Sequence, residues 1–173
     1  MSDNRALDGE TLLAYVQEVA RELPGDAPRQ RLVIVGGALL AWLGLREATR
    51  DIDSTSLIDD VLRAAVETVA ARHDLAPRWI NDSAAPFVPH GFDPDRGEVI
   101  WADDRLEVIG APVDQVFLMK VHAARASDLP DIRVLWPRSG FATPDEAAAA
   151  YSDAYPLETH DPHVANWIAQ QIG

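Results

Sequence analysis

The chain has 173 residues, with 15 Lys and Arg against 28 Asp and Glu, a formal net charge of −13 and no cysteine. A disulfide scaffold, a zinc–thiolate site, an iron–sulfur cluster and a cysteine nucleophile are therefore excluded. With 47 % hydrophobic and 25 % charged residues, the composition is that of a folded domain of ordinary size rather than of an acidic disordered tail.

The longest uncharged stretch of the first half runs from Leu32 to Leu45, short of the ~20 residues a membrane span needs. Asp3, Glu10 and Glu18 stand where a signal peptide would be basic and then apolar. The expectation is a cytoplasmic protein without a membrane partner. The charge of −13 opposes non-specific coating of nucleic acid, although it leaves room for a local basic site.

In chain order, residues 9–23 carry Leu12, Leu13, Val16, Val19 and Ala20 at helical spacing, and Pro24-Gly25 ends that helix. Arg31 to Val35 is a short β-branched run leading into a turn at Gly36-Gly37, which reads as a buried strand. A short apolar helix over 38–45 and a second strand over 49–53 follow. Ser56 and Asp59 form a capping box for a helix over 57–73. Strands are expected at 78–81, 99–101 and 106–109, with a Pro- and Gly-containing loop over 82–97. From Pro112 the pattern is helical: 113–125, 130–136, a helix opened by Thr143-Pro144 with Glu146, and a last one opened by Asp161-Pro162. The fold class is α+β, a small mixed sheet flanked by helices with a helical C-terminal part. Residues 1–110 would form the α/β core and 111–173 a helical segment packed on it, as one folding unit.

The pattern that carries chemistry is a strand, Gly36-Gly37, a short helix, then Asp51-Ile52-Asp53 on a second strand. Residues i and i+2 of a strand share a face, so both carboxylates project together while Ile52 faces the core. Like charges so close repel unless a cation joins them, and an all-oxygen donor set suits Mg²⁺ held jointly with substrate phosphates. Glycines without a Cβ let backbone approach a polyphosphate closely. The same two aspartates also fit solvated charges that protect an edge strand, and Gly36-Gly37 also fits a plain tight turn.

The segment from Val35 through Arg46 to Thr49-Arg50-Asp51-Ile52-Asp53 resembles the polymerase-β-type minimal nucleotidyltransferases. Within that superfamily it is most similar to nucleotidyltransferase-like domains related to the MenT and AbiEii toxins of toxin–antitoxin systems. Leu118-Met-Lys120-Val-His-Ala-Ala-Arg125 and Asp128-Leu-Pro-Asp131 match the late helix and Asp-rich turn of those relatives. The resemblance implies Mg²⁺-dependent transfer of a nucleotide from an NTP to an acceptor hydroxyl. Asp51 and Asp53 would be the metal ligands. Asp51, Asp53, Lys120 and Asp131 would be catalytic, and Gly36, Gly37, Arg46, Thr49, Arg50 and Lys120 would bind the nucleotide. The toxin branch implies an RNA 3′ end, such as that of tRNA, as acceptor and an antitoxin as partner.

Lys120 is the single lysine among 15 basic residues, and a lysine is a compact charge suited to a triphosphate. It also fits a side chain that snorkels from an apolar helix, and Asp131 after Pro130 also fits a helix N-terminal acid. Many polymerase-β-type enzymes carry a third carboxylate. Around 78–82 only Asn81 and Asp82 are offered, which leaves Glu107, Asp128 or Asp131 as substitutes. The alternatives are a non-catalytic nucleotide- or partner-binding module, or a transferase acting on a small molecule such as an aminoglycoside or on a protein hydroxyl. The stretch 139–173 holds five acids and no Lys or Arg, which suits a small cationic acceptor better than a long RNA.

Overall fold

The computed structural model describes residues 6–173; Asp3, one of the acids that speak against a signal peptide, lies outside them. The described residues divide into two compact units. The first takes the chain up to Pro86 together with Gly97–Ala111, and the second takes Phe87–Arg96 with Pro112–Gly173.

In the first unit, α1 (Gly9–Glu22) is opened by Asp8, whose carboxylate accepts from Thr11 N–H at 2.8 Å. Its face of Leu12, Val16, Val19 and Ala20 is buried. Strand β1 (Gln30–Val35) is buried on successive residues from Leu32 to Val35, so both of its faces are covered. It runs directly into α2 (Gly36–Trp42), which therefore begins at the glycines and not after them. Then come β2 (Ile52–Ser54), α3 (Asp60–His73), β3 (Ile80–Asn81), β4 (Glu98–Ala102) and β5 (Leu106–Gly110).

The sheet order is β3-β2-β1-β5-β4. Strand β1 is parallel to β5 and antiparallel to β2, β2 is parallel to β3, and β4 returns antiparallel on β5 with an irregularity between Val99 and Trp101. Leu12 and Val16 of α1, Ala38 of α2, and Ile34, Ile52 and Val108 of the sheet line one small apolar cavity. That places Ile52 on the helix-covered face, and Asp53, the next residue along the strand, on the opposite one.

Two local differences from the pattern-based reading have clear causes. The second strand begins at Ile52, because Thr49 is held by Leu7 through two backbone hydrogen bonds of 2.6 and 2.9 Å. Helix α3 is capped by Asp59, whose carboxylate accepts from Leu62 N–H at 2.8 Å, while Ser56 donates its N–H to Ser54 Oγ. Helices α1 and α3 are clasped at the surface, with Arg72 on Glu18 and Glu22 and the His73 ring stacked on Tyr15 at 4.0 Å.

The second unit is helical: α4 (Val113–Ala123), α5 (Leu129–Leu135), α6 (Pro144–Ala154) and α7 (Val164–Ile172). The side chain of Gln115 on α4 accepts from Asp93 N–H and donates to Gly91 carbonyl, which explains why the 87–96 loop belongs to the helices and not to the strands. Phe117 packs against Trp136 and Phe141 at ring distances of 5.6 and 5.7 Å. Thr143 caps α6 as expected, accepting from Glu146 N–H. Among the described residues, seven α-helices and a five-stranded mixed sheet make the fold α+β, and no helix is long and apolar enough to cross a membrane.

Candidate functional site

The first unit gathers Gly36, Gly37, Arg46, Thr49, Asp51 and Asp53. Pairing of Val35 with Asp53 puts Asp53 next to the end of β1, where the chain turns into α2. Gly36 has φ +61°, a conformation that L side chains rarely adopt, and a Cβ placed there would lie 3.5 Å from Asp53 Oδ2. Asp51 stands one residue ahead of β2 and is exposed, as are Arg46 and Arg50. Thr49 is buried, and its hydroxyl is 3.4 Å from the Asp51 carbonyl oxygen to which it donates.

Burial around its carboxyl, first, and the neighbouring Asp53 charge, second, push Asp51 above the usual aspartate range. A hydrogen bond from Thr49 and the charges of Arg46 and Arg50 act the other way without cancelling them. Two carboxylates and two arginines therefore lie close enough to act on one another at this point of the fold.

The space where a Cβ of Gly37 would stand is bordered by two side chains. A Cβ on Gly37 would meet Thr49 Oγ1 at 2.8 Å and Arg46 Nη1 at 2.9 Å, so the space belongs to two side chains of the site itself.

Lys120 and Asp131 lie in the second unit. Lys120 Nζ is 2.6 Å from Asp128 Oδ1 and 2.9 Å from Asp131 Oδ2, and all three side chains are largely buried. Burial alone, the largest effect, would lower the Lys120 pKa, but the hydrogen bonds and charges of Asp128 and Asp131 together raise it above the usual lysine value. The turn that brings them together follows α4, where Ala124 adopts φ 46° and donates its N–H to Lys120 carbonyl.

Glu107 does not complete the Asp51/Asp53 pair. It sits opposite Arg31 in the β1/β5 register, four residues along β1 from Val35 or ~13 Å, and is paired with Arg31 at 3.2 Å and Arg29 at 3.7 Å. Asp82 accepts from Ile58 N–H and faces Arg78. The neighbour of Asp53 on β3 is Asn81, whose amide donates to Ile52 carbonyl and accepts from Ser83 N–H.

Residues 10–135 match the model of a family described as a nucleotidyltransferase of unknown function, DUF6036. The chain belongs to that family. No curated protein and no solved structure matches it. The matched span of this DUF6036 member covers both the Asp51/Asp53 pair and the Lys120 cluster. Among its described residues no three His, Cys, Asp or Glu side chains gather as a metal-holding group. Two neighbouring carboxylates nevertheless fit Mg²⁺, which takes one or two protein carboxylates and fills its remaining positions with water and substrate phosphate.

Two residues of the site carry no sequence signal of their own. Leu7 pins Thr49 through backbone alone, and Asn81 acquires its place beside Asp53 only from the β2/β3 register.

Proposed function

We propose that this DUF6036 protein moves a nucleotide from an NTP to an acceptor hydroxyl, with Asp51 and Asp53 holding Mg²⁺. The observation that carries the reading is the neighbouring Asp51 and Asp53 carboxylates at the end of β1, with Gly36 against Asp53 and Arg46 and Arg50 close by. When bound, the metal would supply the charge neutralisation that a triphosphate needs to approach two aspartates. Arg46 and Arg50 would meet the phosphates, Thr49 would hold the Asp51 segment in place, and Gly36 would keep the backbone close to Asp53 without a side chain between. In the transfer, the acceptor oxygen bonds to the α-phosphorus, the α–β anhydride bond breaks, pyrophosphate leaves and the hydroxyl gives up its proton. Such a step depends mainly on positioning and charge stabilisation.

For the acceptor we propose an RNA 3′ end, with an antitoxin as the controlling partner, on the strength of the resemblance to the toxin branch. Labelled NTPs incubated with the protein, Mg²⁺ and total RNA should give labelled RNA that disappears in the Asp51→Ala, Asp53→Ala double variant. Transfer that survives the double substitution, or no transfer with any divalent metal tried, overturns the proposal. The same reaction run with an aminoglycoside or a protein acceptor reads out the other acceptors directly.

A second reading, a module that binds nucleotide without turning it over, is favoured by one observation. The residue beside Asp53 is Asn81, and Glu107 is tied to Arg29 and Arg31. Calorimetry showing tight Mg²⁺-NTP binding by a protein that transfers nothing would decide for it.

A further inference from the structure

Thr49 and Arg46 crowd the place where a Cβ of residue 37 would stand. Thr49 cannot retreat: its N–H and carbonyl are both paired with Leu7, and the residue is 7 % exposed. Its hydroxyl is engaged with the Asp51 segment. Arg46 reaches the same point from the loop after α2, with its guanidinium at the end of a long flexible side chain. A methyl group on residue 37 must therefore either turn the Thr49 hydroxyl off Asp51 or expel the Arg46 head group, and the second movement is the easier one.

We infer that Gly37 is a positioning residue: the space left by its missing Cβ is a seat for Thr49 Oγ1 and Arg46 Nη1, the two groups that hold and face Asp51. The glycine acts through these side chains and needs no contact with a ligand of its own. Arg46 is thus kept beside the carboxylates before anything binds, and a phosphate group arriving there would find a pre-placed guanidinium. This deepens the proposed nucleotide site and rests on it only for the ligand, since the seat itself is a property of the free protein.

The test uses the full chain and two readouts. In the first, the Arg46 Nε–H resonance, assigned by its loss in Arg46→Gln, is followed in the ligand-free protein. Gly37→Ala should shift or broaden it, and an unchanged resonance overturns the inference. In the second, calorimetry with Mg²⁺-ATP as probe should show Gly37→Ala weakening binding about tenfold, as loss of one charge-assisted hydrogen bond would. Arg46→Gln should weaken it as much, and the double variant no further, because both changes remove the same contact. Additive losses overturn the inference. If wild type binds no Mg²⁺-ATP, the nucleotide reading fails while the resonance still decides the seat. Should Gly37→Ala not fold, Gly37→Ala combined with Thr49→Ala removes the 2.8 Å clash, and its Arg46 resonance is compared with that of Thr49→Ala alone.

Discussion

Two pairs of aspartates, one in each unit, meet their charge in different ways. Asp128 and Asp131 are buried, and Lys120 stands within 2.9 Å of both, so they share one positive charge supplied inside the fold. Asp51 is exposed as a residue, yet partial burial of its carboxyl and repulsion from Asp53 push that carboxyl above the usual range despite Arg46 and Arg50. A buried carboxylate must find its partner during folding, because an uncompensated charge in a low dielectric is severely destabilising. A carboxylate within reach of solvent can leave part of its neutralisation to a ligand. The first arrangement ties the end of α4 to the start of α5, and the second is the one proposed above to hold a metal.

The largest effect should come from removing the built-in partner. Lys120→Met leaves two buried carboxylates facing each other and should cost ~3–5 kcal/mol, read from the urea midpoint. Adding Asp128→Asn and Asp131→Asn should restore much of that loss, because the charges that needed Lys120 are gone. Asp53→Asn should behave in the opposite sense. It should lower nucleotide transfer by a factor of about 10² or more, while the same urea curve stays close to wild type. If Asp53→Asn unfolds the protein and Lys120→Met does not, the two pairs have been assigned the wrong way round.

pH separates the clusters by window, since both raised groups lose stability as pH rises but near opposite ends of the scale. The raised Lys120 pKa means that its contribution is fully present below the unfolded value of 10.5 and is lost as pH rises through the folded value. The raised Asp51 pKa means that the native state binds more protons than the unfolded one just above 3.8, so stability declines as pH rises through that window. Glu18, whose pKa is lowered first by its hydrogen bond to His73 and then by that to Arg72, acts conversely, its contribution being lost as pH falls below 4.5. Urea unfolding of wild type and Asp51→Asn between pH 3 and 6 should therefore differ in slope, with the variant losing the Asp51 decline and keeping the Glu18 one.

The helices were largely legible because their signals are local. Thr143-Pro144 and the apolar stripes of α1 and α3 specify their own ends and faces. The Asp51-Ile52-Asp53 alternation likewise put the two acids near each other, although Asp51 itself stands just ahead of the strand. What remained hidden depends on distant partners. Thr49 leaves the strand because of Leu7, 42 positions earlier in the chain, and the notch at Gly37 exists only once Arg46 and Thr49 fold back onto it. Lys120 could be singled out by composition, but its partners Asp128 and Asp131 lie beyond a left-handed turn at Ala124, which an alanine does not announce. That turn gives a modest effect of its own. Ala124→Gly should relieve about 1 kcal/mol of left-handed strain, partly offset by the greater freedom of glycine in the unfolded chain. A small rise in the urea midpoint, with the Lys120 pairing retained, would show that the turn serves the buried joint.

The smallest effect is expected at Glu107, and it sharpens the contrast from the other side. Its carboxylate is partly exposed and paired with Arg31 at 3.2 Å and Arg29 at 3.7 Å, so Glu107→Gln should cost no more than ~1 kcal/mol. It lies four residues along β1 from the register position of Asp53, too far for a third ligand of the same cation. Nucleotide transfer and Mn²⁺ affinity should therefore be unchanged in Glu107→Gln. A large loss of either would place a third carboxylate in the site after all, and would remove the ground for a module that binds without turnover.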